Sequence, residues 1–176
     1  MDHQVNHNGS FQGQVMSLWM VEKGERDRKM KLLEDFGYVD PDGVTWAAPK
    51  GSVINGASIP AFLWGPLVGS PYTGDYRMAS VVHDVACDER TQPYEKVHLM
   101  FYYAMLCGET QPWLAKMMYT AVKLFGPRWG TNIAALSESS ENIAQFFDWV
   151  HSDEFHQADI KTLQKMTDEF ERSRRL

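Results

Sequence analysis

Three side chains able to hold a proton or a metal ion fall within a short span of this chain. His83 and Asp84 are adjacent, and His98 follows fifteen residues after His83. The stretch from Gly74 to Cys107 reads as two helices joined by a short turn. His83 lies five residues before Asp88, where the first helix should end, and His98 five residues after Pro93, where the second should begin. If the helices fold back antiparallel, both imidazoles sit at one height. Packed helices lie about 8–10 Å apart, so two inward histidines can converge on one ion at about 2.0–2.1 Å from each nitrogen. Asp84 is turned about 100° from His83 around the helix and reaches the same point from the groove edge. This gives a ligand set of His83, Asp84 and His98 for a divalent metal, with zinc the first choice. A metal-free version uses Asp84 to orient His83, which then moves a proton near neutral pH. The competing reading is structural: two histidines satisfied in the core, with Asp84 facing solvent or capping a neighbouring segment.

A second candidate lies upstream, in Asn55-Gly56-Ala57-Ser58-Ile59-Pro60. Ser58 on a tight turn at a helix start could act as a nucleophile, with His83 as its base and helix amides as oxyanion donors. Two features count against that: no glycine follows the serine, and Pro60 has no N–H to give. The favoured role for Ser58 is the N-cap of a short helix over Ile59 to Leu67, with Pro60 in its first turn. Asn55, Gly56 and Trp64 are the candidate substrate contacts. Cys87 stands four residues after His83 on the same helical face. A Cys–His nucleophilic pair is conceivable there, but a small buried thiol more often packs. His151 and His156 are five apart, lack the spacing that stacks ligands on a helix, and read as surface residues.

These residues need a scaffold. Val15 to Val21, Lys29 to Leu32, Tyr38-Val39, Val44 to Ala48 and Ser52 to Ile54 read as short strands separated by turns, the clearest being Asp40-Pro41-Asp42-Gly43. In the first hairpin helix Tyr76, Ala79, Val82, His83, Ala86 and Cys87 share one face. The tripeptide Thr-Gln-Pro precedes both the second helix, which stops at Gly108, and a third over Trp113 to Phe125. Ser137 to Val150 and Asp159 to Arg172 read as two further amphipathic helices. The expected fold is α+β: a small N-terminal antiparallel sheet on a mainly helical body. Residues 1–14 read as a flexible arm, 15–132 as one domain, and 133–176 as a helical appendage that packs on the body or mediates a contact.

Composition narrows the classes. The chain has 176 residues, 44% hydrophobic and 23% charged, with a net charge of −6. No basic stripe appears, so nucleic acid is not an expected partner. Two cysteines do not make a disulfide framework. The polar start lacks the features of a signal peptide, and no apolar run nears the ~20 residues of a membrane span. The expectation is a soluble protein, cytoplasmic as synthesised. No glycine-rich phosphate loop is evident.

The motifs Pro49-Lys50-Gly51, Gly56-Ala57-Ser58-Ile59-Pro60, Leu63-Trp64, His83-Asp84, Phe101 and Leu124-Phe125-Gly126 occur in the order of a phage and bacterial family, domain of unknown function 1353, which the chain resembles over about residues 49–130. Where that family usually carries Thr-Asp before Gly-Ala-Ser, this chain has Ile54-Asn55; where it has Asp in the second helix, this chain has His98. Both changes replace a carboxylate by a neutral group, making the implied site less acidic. The resemblance implies phage or prophage ancestry and no defined reaction. The function expected is a phage-type hydrolase-like protein with a His/Asp/His polar or metal site, acting on a cell-envelope polymer. The rival is a non-catalytic binding or morphogenesis protein whose His-Asp motif pins the loop to the hairpin.

Overall fold

A computed structural model describes residues 7–21, 29–56, 58–63 and 74–175. Its N-terminal part holds six short strands: β1 Ser10–Gln12, β2 Ser17–Trp19, β3 Met30–Leu32, β4 Phe36–Val39, β5 Thr45–Ala48 and β6 Val53–Ile54. They form two three-stranded antiparallel sheets, ordered β1-β4-β5 and β2-β3-β6. Alternation decides which face turns inward. In β3, Met30 and Leu32 are buried and Lys31 is exposed; in β5, Trp46 and Ala48 are buried while Thr45 and Ala47 face out. The β4–β5 hairpin is tied by Asp40, whose carboxylate accepts from the amides of Asp42 and Val44 and from the indole N–H of Trp46.

One difference from the sequence reading is that residues 10–12 are not part of a loose arm. They pair with β4, because Phe11 stacks on Phe36 at 5.6 Å between ring centroids and also packs on Tyr38. The Tyr38 hydroxyl on the Asn8 carbonyl and the Cys107 thiol on the Gly9 carbonyl hold the same segment. The strands also make two sheets where one was expected.

The helical body starts with α1 Arg77–Glu89, which lies against both α2 Tyr94–Cys107 and the strands β5 and β6. Arg90 ends α1 in the left-handed region, with its N–H on the carbonyl of Ala86. Pro93 precedes α2, and Pro112 opens α3 Pro112–Phe125, where its missing N–H costs nothing. Gly108 caps α2 with its N–H on the carbonyl of Ala104, at a position where a Cβ would meet the carbonyl oxygen of Asp75 at 2.8 Å.

The tail forms α4 Ser140–Val150, a short α5 Asp153–Gln157 and α6 Ile160–Ser173. Ser139, Ser152 and Asp159 cap them through side-chain oxygens. This tail packs on the body. Phe146, Val150, Phe155 and Leu163 are fully buried, and the ring of Phe62 meets Phe125, Phe146 and Phe147 edge-on. Upstream, a 3-10 turn at Ala61–Leu63 stands where the helix over Ile59 to Leu67 was expected; the rest of that expected helix lies outside the described residues.

Candidate functional site

The hairpin of α1 and α2 brings His83 and His98 face to face. Both are fully buried, and His83 Nε2 lies 2.9 Å from His98 Nδ1. Each sits mid-helix on the inward face, one on each arm of the antiparallel pair. Phe101 stacks on the His83 ring at 4.4 Å, while Tyr94 and Trp129 meet the His98 ring edge-on.

Asp84 does not join the two histidines. Its carboxylate turns to the upstream loop, where Oδ2 accepts from the amides of Asn55 at 2.7 Å and Gly56 at 3.0 Å. Its Oδ1 accepts from the Ser58 hydroxyl at 2.7 Å and, more distantly, from the Ser58 amide at 3.4 Å. The loop can present its amides this way because Gly56 adopts a φ of 69°, a conformation side-chain-bearing residues rarely hold. So Asn55 and Gly56 spend their N–H groups on Asp84. The Ser58 hydroxyl contacts Asp84 and His83 rather than capping the turn that follows. Trp64 lies outside the described residues.

Where Asp84 was expected beside the histidines, the structure places Cys87. Its sulfur lies 3.6 Å from His83 Nε2. His83, Cys87 and His98 are all buried, and one donor atom from each lies within 4.8 Å of the others, the only such cluster of three among the described residues. Three donors that close together could hold a metal ion. The i, i+4 spacing of His83 and Cys87 was the sequence signal for this member. The carbonyl of Pro127, which lies 3.1 Å from His98 Nε2, carried no such signal, because a backbone oxygen has no side-chain signature.

The environment fixes the protonation of the rings. Burial pushes the His98 pKa down to about 3, with Arg128 and Lys123 nearby adding to the effect against the pull of the Pro127 carbonyl. Burial, and then His98 itself, hold His83 well below the ordinary histidine range. The Cys87 thiol is pushed up by burial and by the charges of Asp84 and Asp88. Neutral imidazoles carry one N–H each. Pro127 can only accept, so the His98 proton sits on Nε2 and its Nδ1 is a lone pair. His83 must then donate through Nε2, leaving a lone pair on Nδ1, 3.1 Å from the Ser58 oxygen. The hydroxyl has one proton and two acceptors competing for it, Asp84 and His83. Along the line Asp84–Ser58–His83–His98–Pro127 three protons serve four contacts, and the nearest further donor is the Cys87 thiol, 4.0 Å from His83 Nδ1.

Fold and site together define the class: a small α+β protein with a buried His/Cys/His cluster in a helical hairpin, pinned by a carboxylate to a glycine-containing loop. The chain belongs to the family described as protein of unknown function (DUF1353), whose profile matches residues 30–122. Among curated proteins it is similar to two from Sinorhizobium fredii (strain NBRC 101917 / NGR234). Uncharacterized protein y4jT is 38% identical over 108 residues, 61% of this chain and 32% of that protein. Uncharacterized protein y4iH is 45% identical over 105 residues, 59% of this chain and 44% of that protein. The chain thus spans less than half the length of these relatives. No solved structure matches it. No helix among the described residues is long and apolar enough to cross a membrane.

Proposed function

We propose that this protein binds a divalent metal ion, zinc first, through His83 Nε2, Cys87 Sγ and His98 Nδ1, and that the ion serves a hydrolase-type centre of phage or prophage ancestry. The observation carrying this reading is the buried cluster of three donor atoms within 4.8 Å of one another, and the hydrogen bonding of the line fits it. An ion between the two rings takes the lone pairs of His83 Nε2 and His98 Nδ1. His83 then keeps its proton on Nδ1 and donates to Ser58, which donates to Asp84. His98 keeps its proton on Nε2 for Pro127. Every polar atom in the line is then satisfied with both histidines neutral, and each ligand ring gains the outer hydrogen bond that metal-bound histidines usually have.

Two edge lengths lie close to those of a tetrahedral site. Metal–nitrogen and metal–sulfur bonds of about 2.0–2.1 and 2.3 Å in a tetrahedron set an N···S edge near 3.5 Å and an N···N edge near 3.3 Å. The His83 Nε2–Cys87 Sγ distance is 3.6 Å, but the sulfur also lies 4.0 Å from Nδ1, which puts it beside the ring rather than along the Nε2 lone pair, so ligation requires the thiol or the imidazole to turn. The His83–His98 edge of 2.9 Å opens to the tetrahedral value with a shift of about 0.4 Å. The ion would also bind Cys87 as the thiolate, against the pull of its burial.

Three protein ligands leave one place for water, the arrangement of hydrolytic zinc sites. A cell-envelope polymer is the substrate class we put forward, from the phage-type resemblance alone. A second reading rests on a separate observation: both rings are fully buried. Under it the ion is structural, knitting the hairpin in a non-catalytic binding or morphogenesis protein.

The deciding experiment is metal analysis of the purified chain after zinc loading and desalting. One zinc per chain, lost in both Cys87→Ser and His98→Ala, is expected. A folded wild-type protein that retains no zinc overturns the metal reading. Release of soluble fragments from peptidoglycan by the zinc-loaded protein alone selects the hydrolase; equal release by wild type and His98→Ala refutes it.

A further inference from the structure

The family match ends at residue 122, yet the last bond of the buried line is made beyond it, by Pro127. The residue after Pro127 is held by the far C-terminus. Arg128 forms a two-pronged ion pair with Glu171 of α6, at 2.7 and 2.9 Å, and also donates to the carbonyl of Lys123. Both side chains are largely buried, at 5% and 15% exposure. This is unlike the neighbouring Lys123–Asp168 bridge between α3 and α6, whose carboxylate is 55% exposed. The Arg128 guanidinium also lies 5.5 Å from the centre of the Tyr94 ring, which packs edge-on against His98. Trp129 donates its indole N–H to the carbonyl of Gln92 and packs its ring edge-on against both Tyr94 and His98. His98 is thus boxed by residues 127–129 and the first turn of α2, and that box is locked from outside by Glu171.

We propose that Glu171 is a positioning residue for His98. Through Arg128 it fixes the 127–129 loop, so that the Pro127 carbonyl selects the His98 tautomer with its proton on Nε2 and turns Nδ1 toward His83. The tail is then part of the site's second layer, not an independent module. A bidentate pair suits this task, because two parallel bonds fix orientation as well as distance. Removing such outer-layer support from a metal-binding histidine typically lowers metal affinity roughly 10–100-fold. The consequence for affinity rests on the metal reading above; the consequence for the His98 tautomer does not.

The test compares Glu171→Gln and Arg128→Lys with wild type and with Asp168→Asn, which removes the Lys123–Asp168 bridge between α3 and α6 and leaves the box alone. Zinc affinity is read by competition with a chromophoric chelator. The His98 tautomer is read by nitrogen-15 NMR of the imidazole in the metal-free chain. Expected are a loss of roughly 10–100-fold in zinc affinity and a mixed His98 tautomer in both box variants, with Asp168→Asn like wild type. Circular dichroism checks that each variant is folded; if Glu171→Gln is not, Arg128→Lys decides. Box variants that keep the wild-type tautomer overturn the proposal. A wild type that binds no zinc sinks the metal reading while the tautomer comparison still decides this one.

Discussion

The Ser58 hydroxyl lies 2.7 Å from Asp84 Oδ1 and 3.1 Å from His83 Nδ1, bridging a carboxylate and an imidazole that are adjacent in sequence but face different ways. Adjacent helical residues diverge by about 100°, so they share a partner only if a loop supplies it. The Asn55–Ser58 loop does so, and Asp84 holds it by three amides and one hydroxyl.

Asp84→Ala leaves those four donors without their acceptor. Bonds to a carboxylate and the cost of stranding buried donors together predict a loss of roughly 2–4 kcal/mol. Urea unfolding measures it. A loss under about 0.5 kcal/mol, the size of an ordinary surface change, would show that the loop is held by something else.

Gly56→Ala places a side chain at a φ of 69°. The expected cost is about 1 kcal/mol or more of strain. If the loop escapes that strain by shifting, the amide at residue 56 loses its bond to Asp84. Its hydrogen-exchange protection should then drop toward that of an open loop, and unchanged protection with unchanged stability would contradict this placement.

Zinc loading should displace the Cys87 proton. Titration of the unbuffered protein with zinc near neutral pH is expected to release about one proton per metal from the thiol, since a coordinating sulfur is deprotonated. The Cys87→Ser chain should release none and bind far more weakly. Tight zinc binding with no proton released would place the ion elsewhere in the chain.

Stability of the metal-free chain should depend on pH through the two buried histidines. Their folded-state pKa values lie below the ordinary 6.5, that of His98 at about 3, because burial disfavours the charged ring. Below about pH 6.5 the unfolded chain therefore binds more protons than the folded one. The stability is present in full above that value and is lost as pH falls toward 3, by up to about 1.4 kcal/mol per pH unit for each histidine. Denaturant midpoints measured between about pH 8 and 5 should fall with acid, and more gently in His98→Asn. A midpoint unchanged across that range would show that the rings titrate as they do in the unfolded chain, and a midpoint that rises with acid would show that they are already charged in the fold.

Much of this molecule was legible before folding. The strand positions at Met30–Leu32, Thr45–Ala48 and Val53–Ile54 follow from alternation and turn residues, and the hairpin from a face repeating every three to four residues, bounded by Pro93 and Gly108. The level placement of His83 and His98 follows from counting outward from the turn between them. These are local rules, readable within a dozen residues.

What the sequence could not decide is which way each polar side chain turns once packed. Asp84 was expected beside the histidines because it neighbours one of them, yet it faces the loop, where amides needed an acceptor. Cys87, read as packing, stands against the His83 ring because one helical turn brings its sulfur to the inward face. Pro127, Arg128 and Glu171 enter through contacts spanning 29 to 43 residues, one to a backbone oxygen and the other a largely buried ion pair. Sequence periodicity fixes the face a residue occupies. Only tertiary packing fixes the partner it meets there, because burial forces every donor to find an acceptor wherever the chain happens to supply one.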